Sequence, residues 1–239
     1  MAETIETTRA PSAAPSTGPG AVTDDSGLTK RQQDVLDAVL RLLVEQGEQL
    51  TMAAVARRAN CSKETLYKWF GDREGLLTAT VRWQAARVKV APLKAGSLDI
   101  EALGARLEEF AGSWLTTISS DTSLALNRVA ISSSGGDNRT LGRIVLENGR
   151  LAMGRRLKPV LEAGRAAGLL AFDDAEVAFR TFFGLVGRDV QIRLLLGDVI
   201  DLSPNEIRAD AQRATWQFLT LYAAPPFGGG DTPATGRPA

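Results

Sequence analysis

Two short apolar-periodic segments separated by a tight turn constrain this chain more than any other feature. Thr51 is a good N-cap for a helix over Met52–Ala59 with Met52, Val55 and Ala56 on its inner face. Asn60 and Cys61 form the turn, and Ser62 caps a second helix over Lys63–Phe70 whose inward residues are Leu66 and Phe70. Helices of about eight residues cannot each bury a face alone, so a third must lie behind them. The stretch from Thr29 to Gln46 supplies it, with Val35, Val39, Leu42 and Leu43 on one face and Gly47 as a stop. That geometry is a helix-turn-helix, in which the second short helix enters the major groove of DNA.

The third helix carries the chemistry. Its outward positions are Lys63, Glu64, Thr65, Tyr67, Lys68 and Trp69. Large aromatics beside cations suit a surface that meets phosphates, sugars and thymine methyls, whereas a plain solvated face has little use for them. Glu64 is read most simply as favourable to the helix dipole.

Charge distribution agrees, although the formal net charge is zero. Residues 28–95 hold twelve Lys/Arg against seven acids, while the segments on either side are mildly acidic. A basic N-terminal domain facing a polyanion follows. Histidine is absent, which removes Ser-His-Asp and Cys-His catalysis and histidine zinc sites. One cysteine, Cys61, can build neither an internal disulfide nor a cysteine-only metal site, and it fits a reducing cytoplasm. No metal, cofactor or catalytic residue is therefore expected, and no apolar run approaches the ~20 residues of a membrane span.

The rest of the chain reads as all-α. A fourth helix runs from Arg73 to Val90, and Pro92 and Gly96 mark a domain junction. Further helices are expected near 99–118, 121–133, 137–167, 173–197 and 203–223, with Asp99, Asp121, Asp137, Asp173 and Ser203 as starting caps. The organisation is a disordered tail over 1–27, a DNA-binding domain over 28–92, a C-terminal helical bundle over 97–223, and a second tail over 224–239. In the last helix Ile207, Ala211, Ala214, Phe218 and Leu221 recur at spacings of four and three, an almost coiled-coil seam. Phe179, Phe182, Phe183, Val186 and Val190 form a second stripe. These stripes are expected to pair two copies into a homodimer; the plainer reading turns them into the monomer's own core. The Arg155-Arg156-x-Lys158 cluster reads as a solvated face.

The stretch LTMAAVARRANCSKETLYKWFGDREGLL resembles the DNA-binding signature of the TetR family. Its most diagnostic parts are Ser62-Lys63-x-Thr65-Leu66-Tyr67-x-x-Phe70 and Arg73-Glu74-x-Leu76-Leu77. The segment through Ala167-Gly168-Leu169 to Asp174 is more loosely similar to the AefR-like branch. Asn60 stands where the family usually has Gly, Arg73 where it has Lys, and Cys61 where it has an inward Val. Asn tolerates the left-handed turn, and Arg keeps the charge.

The resemblance implies double-stranded DNA as partner. It places Thr65, Tyr67, Lys68 and Trp69 at the DNA surface, Lys63 and Arg73 on phosphates, Thr51 near the backbone, and Lys30 and Arg31 at the backbone or minor groove. It further implies a bacterial, cytoplasmic, nucleoid-associated repressor, bound as a dimer to a palindromic operator and released by a small hydrophobic effector. Phe110, Trp114, Leu124, Asn127 and Ile131 are the candidate pocket residues. Two other readings stand beside it: a helical-bundle enzyme using carboxylates such as Asp173 and Asp174, and an adaptor with a vestigial helix-turn-helix.

Overall fold

The computed structural model describes residues 27–47, 50–90, 98–132, 140–200 and 202–224; both expected tails, apart from Gly27 and Ala224, the expected cap Asp137 and the expected junction at Pro92 and Gly96 lie outside them. Among the described residues the fold is all-helical, with no strand. The N-terminal helices are α1 (Lys30–Gln46), α2 (Met52–Arg58), α3 (Lys63–Phe70) and α4 (Arg73–Ala85). Each start has its own side-chain cap: Thr29, in a capping box with Gln32, then Thr51, Ser62 and Asp72. Asn60 takes φ 49°, the left-handed conformation that closes the α2–α3 turn.

Beyond the junction lie α5 (Ile100–Ile118), α6 (Asp121–Ser132), α7 (Thr140–Val145), a π turn (Leu146–Arg150), α8 (Leu151–Ala166), α9 (Ala175–Gly187), α10 (Val190–Leu195) and α11 (Pro204–Tyr222). Expected boundaries shift in several places. The fourth helix ends at Ala85 rather than Val90. The single helix expected over 137–167 is interrupted by the π turn, and that over 173–197 breaks at Arg188, where φ is 39°. Ser120 and Asp174, one residue from the expected Asp121 and Asp173, supply hydrogen bonds to the first turns of α6 and α9.

Two apolar clusters organise the molecule. One joins Val35, Leu36, Val55, Leu66, Leu76, Leu77 and Val81 of the N-terminal helices to Leu126, Val129, Leu141 and Ile144 of α6 and α7. The other is built from α5, α8, α9 and α11, with Val88, just beyond α4, inside it. Its centre is aromatic: Phe182 lies 6.1 Å from Phe110 and 5.1 Å from Phe218 between ring centroids.

This second cluster corrects the expected dimer seam. Phe179, Phe182, Val186, Ala211, Ala214 and Phe218 are all buried within one chain, and Phe183 and Ile207 pack partly against the same core. A stripe at helical spacing satisfies an own-chain core as readily as a partner's, and here α5 fills the position a partner helix would take. Of the seam residues Leu221 alone is largely exposed, and Val177 and Trp216, outside both stripes, are the other large exposed apolar residues of α9 and α11.

Arg156 is not part of a solvated face. Its guanidinium donates to the carbonyl oxygens of Ala85, at 3.0 Å, and of Val88. These carbonyls lie at the C-terminal end of α4, which a cation stabilises. Burial lowers the pKa of Arg156 from the ordinary arginine value. Arg143 pairs with Glu74 at 2.7 Å and Arg82 donates to Asn148 at 2.9 Å, so the α7–α8 segment grips α4 along its length.

Leu77→Ala, which removes a fully buried side chain of α4, is expected to cost about 2–5 kcal/mol in urea unfolding.

Candidate nucleic-acid interface and interior cavity

Helix α3 is anchored by one buried residue, Leu66, with Phe70 half-buried beside it. The opposite side presents Lys63, Glu64, Tyr67 and Lys68 to solvent, Tyr67 with 52% of its surface exposed. Thr65 is half-buried, and its hydroxyl lies 3.1 Å from that of the capping Ser62. Among the described residues neither Lys63 nor Lys68 is held in an ion pair, which leaves both ammonium groups available to an external anion. Glu64 sits in the first turn, and its own backbone N–H and the Ser62 hydroxyl hold its carboxyl below the usual carboxylate range.

Trp69 departs from the expected outward position. It is half-buried against the N-terminal core, edge-on to Phe70 at 6.2 Å, beside Leu28, Ala79 and Trp83. The reason is periodicity: Trp69 is three residues beyond Leu66 and so shares its inward face.

Arg31 is a second correction. Rather than extending outward, its guanidinium donates to the carbonyls of Ala59 at 2.5 Å and Asn60 at 2.8 Å. It thereby ties α1 to the C-terminal end of α2 and to the left-handed turn. Lys30 is exposed and pairs with Asp34 at 3.2 Å. The Nε of Arg73 donates to the Leu50 carbonyl at 3.3 Å, while the side chain as a whole remains exposed. Thr51 accepts from the Ala54 N–H at 3.1 Å and so caps α2, and its side chain is exposed. Cys61 is half-buried, and desolvation pushes its thiol up despite the nearby Arg31.

A half-open cavity of about 360 Å³ lies between α4, α5, α6, α7 and the π turn. Of the candidate pocket residues, Trp114, Asn127 and Ile131 stand on its wall. Phe110 and Leu124 do not: Phe110 is part of the aromatic core, and Leu124 is buried away from the wall. The cavity also takes in Val81, Gln84 and Ala85 of α4, Gly149 and Arg150 of the π turn, and Phe183. These escaped sequence reasoning because α4 reads there only as a DNA-binding-domain helix, and because a π turn leaves no residue signature.

Among the described residues no group of three or more metal-ligating side chains occurs, and no helix is long and apolar enough to cross a membrane.

Comparison with known proteins follows the same division. Residues 35–80 match the family described as "Bacterial regulatory proteins, tetR family", and residues 105–224 match "AefR-like transcriptional repressor, C-terminal domain". A solved TetR transcriptional regulator from Agrobacterium tumefaciens is 46% identical, with 82% of this chain and 96% of that chain covered and a TM-score of 0.71. The flavonoid-responsive regulator FrrA is 31% identical over 81% of this chain and 97% of its own, with a TM-score of 0.60. The HTH-type transcriptional regulator BetI of Burkholderia thailandensis is 45% identical over 53 residues. That match spans 22% of this chain and 27% of BetI, about a quarter of the relative's length.

Two outcomes are expected from this geometry. Arg31→Met leaves two carbonyls without their donor and should lower stability by about 1–3 kcal/mol, read from the urea midpoint. Cys61, with its pKa raised, should react with iodoacetamide at pH 7 more slowly than free cysteine, and faster only as the pH rises past the ordinary thiol range.

Proposed function

Because the chain belongs to the TetR family and is therefore a DNA-binding transcriptional regulator and not an enzyme, we propose that it is a dimeric repressor whose operator grip is released by a small aromatic effector. The observation that carries this reading is the exposed Lys63–Tyr67–Lys68 face of α3, backed by a core that continues through α4 into the C-terminal helices.

In this reading α3 enters the major groove. Tyr67 and Thr65 meet bases and sugars, and Lys63 and Lys68 neutralise phosphates. Thr51 brings the N-terminus of α2 to the backbone, where its remaining N–H groups suit a phosphate. Arg73, with only its Nε engaged, reaches a phosphate with its terminal nitrogens, and Lys30 exchanges Asp34 for the backbone. Arg31 and Trp69 act from behind, holding the turn and the helix in place.

Two half-sites one helical turn apart require two copies. The surface that supports pairing is the outer side of α9 and α11, where Val177, Trp216 and Leu221 are exposed and Gly184 leaves open space for a close approach. An exposed tryptophan, 68% accessible here, is a typical anchor of such an interface.

The cavity suits the effector. Its wall includes three residues of α4, the helix separated from α3 by two residues, so a ligand that alters the wall alters the setting of α3. A neighbour 31% identical is named as flavonoid-responsive, which supports a small aromatic molecule as the class. Binding that favours one setting of α4 shifts the dimer away from the half-site spacing and vacates the operator. A cytoplasmic, nucleoid-associated location accords with that role.

Band-shift titration on the DNA upstream of its own coding region tests the reading. A specific shift should weaken by about 1–3 kcal/mol in Tyr67→Ala. Lys68→Ala should reduce the slope of log affinity against log salt by about one. Absence of any salt-sensitive, sequence-specific shift refutes it. In sedimentation velocity, Trp216→Glu is expected to move the protein from dimer to monomer.

A further inference from the structure

Two buried polar atoms on side chains that line the cavity have no bonding partner. Gln84 uses its amide N–H on Ser120 Oγ, 3.1 Å away, and its Oε1 is left without a donor. Trp114 Nε1 has no acceptor. Both side chains line the cavity and are more than nine-tenths buried, at 4% and 8% exposure. Buried polar atoms in native proteins are rarely left in this state, because each costs about 1–3 kcal/mol. One is an acceptor and the other a donor, so a guest with a hydroxyl group and an acceptor oxygen satisfies both.

Arg150 adds a charge. The π turn delivers its guanidinium to the wall, 5.1 Å over the Phe183 ring and 5.7 Å over that of Phe179. Arg150 is the one ionisable side chain among the described residues of the wall, and no carboxylate there neutralises it. A half-buried guanidinium held by ring faces keeps its donors for an anion, whereas a cationic guest would find no counter-charge. Trp114 and Phe183, 4.8 Å apart between centroids, provide an aromatic surface for a flat guest. The volume of about 360 Å³ lies near the bottom of the about 300–1,000 Å³ range of small-molecule sites, which fits one or two rings better than a long chain.

We propose that this cavity selects a small planar aromatic acid that carries a hydroxyl group. Its anionic oxygen meets Arg150, its ring packs on Trp114 and Phe183, and its hydroxyl donates to Gln84 Oε1. Trp114 Nε1 donates to an oxygen of the same molecule. The inference rests on the effector reading above and specifies its chemistry. Since Gln84 belongs to α4, recognition of the hydroxyl also bears directly on the helix that sets α3.

Isothermal titration of the full chain with 4-hydroxycinnamate, its methyl ester and tyramine tests the proposal. The acid is expected to bind at least tenfold more tightly than the ester, and tyramine not at all. Arg150→Met should bring the acid down to the ester's affinity while the ester changes less than twofold, which also shows that the variant is folded. Gln84→Leu should weaken 4-hydroxycinnamate at least fivefold and leave cinnamate, which lacks the hydroxyl, nearly unchanged. Equal binding of acid and ester, an acid preference that survives Arg150→Met, or binding of none of the three overturns the proposal. Operator band shifts with the same ligands separate the two readings. An acid that binds yet releases no DNA defeats effector release and leaves the pocket chemistry standing. Release by the ester alone defeats the pocket chemistry and leaves effector release standing.

Discussion

Helix α4 contributes to two apolar cores at once, and the remaining architecture is arranged around that double burial. Leu76, Leu77 and Val81 belong to the core behind the helix-turn-helix, while Ala85 and the following Val88 pack into the cluster of α5, α8, α9 and α11. Neither end can move without disturbing packed side chains, and close packing transmits displacement rather than absorbing it. Arg156 on the Ala85 and Val88 carbonyls, Arg143 on Glu74 and Arg82 on Asn148 add directional contacts to the apolar ones. The exposed ion pair contributes little to stability, but the half-buried Arg156 has a larger role because its carbonyl partners have few alternatives.

The helix-turn-helix was legible in the sequence to within a residue or two because each of its helices announces its start with a capping side chain, and Leu66 and Val55 can only face inward. Failure came where a residue could serve two surfaces. Trp69 counts as outward once Leu66 and Phe70 alone are taken as the inner face, although its spacing from Leu66 puts it on the inner side. Arg31 looked like a basic residue awaiting phosphate, but the nearest electron-rich groups belong to its own chain. The stripes of α9 and α11 show the same ambiguity: periodicity says that a face is buried without saying against what.

The cavity was less legible for a different reason. Trp114, Asn127 and Ile131 could be picked out from α5 and α6 alone, but the wall is completed by α4, by the π turn and by Phe183 from distant parts of the chain. A π turn inserts one residue into the helical register, and nothing in Leu146–Arg150 marks it by residue type. The insertion is nevertheless what brings Arg150 against the rings of Phe179 and Phe183. The polar groups on this wall come from tertiary placement, which local pattern does not encode.

The sharing of one core by α1, α4, α6 and α7 bears on how such regulators can be recombined. Pro92 and Gly96 look like a seam at which a reader of DNA could be cut from the C-terminal helices and grafted onto another set. A cut there would strip Leu126, Val129, Leu141 and Ile144 from Val35, Leu36 and Val81, exposing apolar surface on both fragments. The portable unit is therefore not contiguous in sequence. A hybrid that keeps its fold must carry the inner faces of α6 and α7 along with the first four helices, and its modularity is set by a buried surface rather than by a linker.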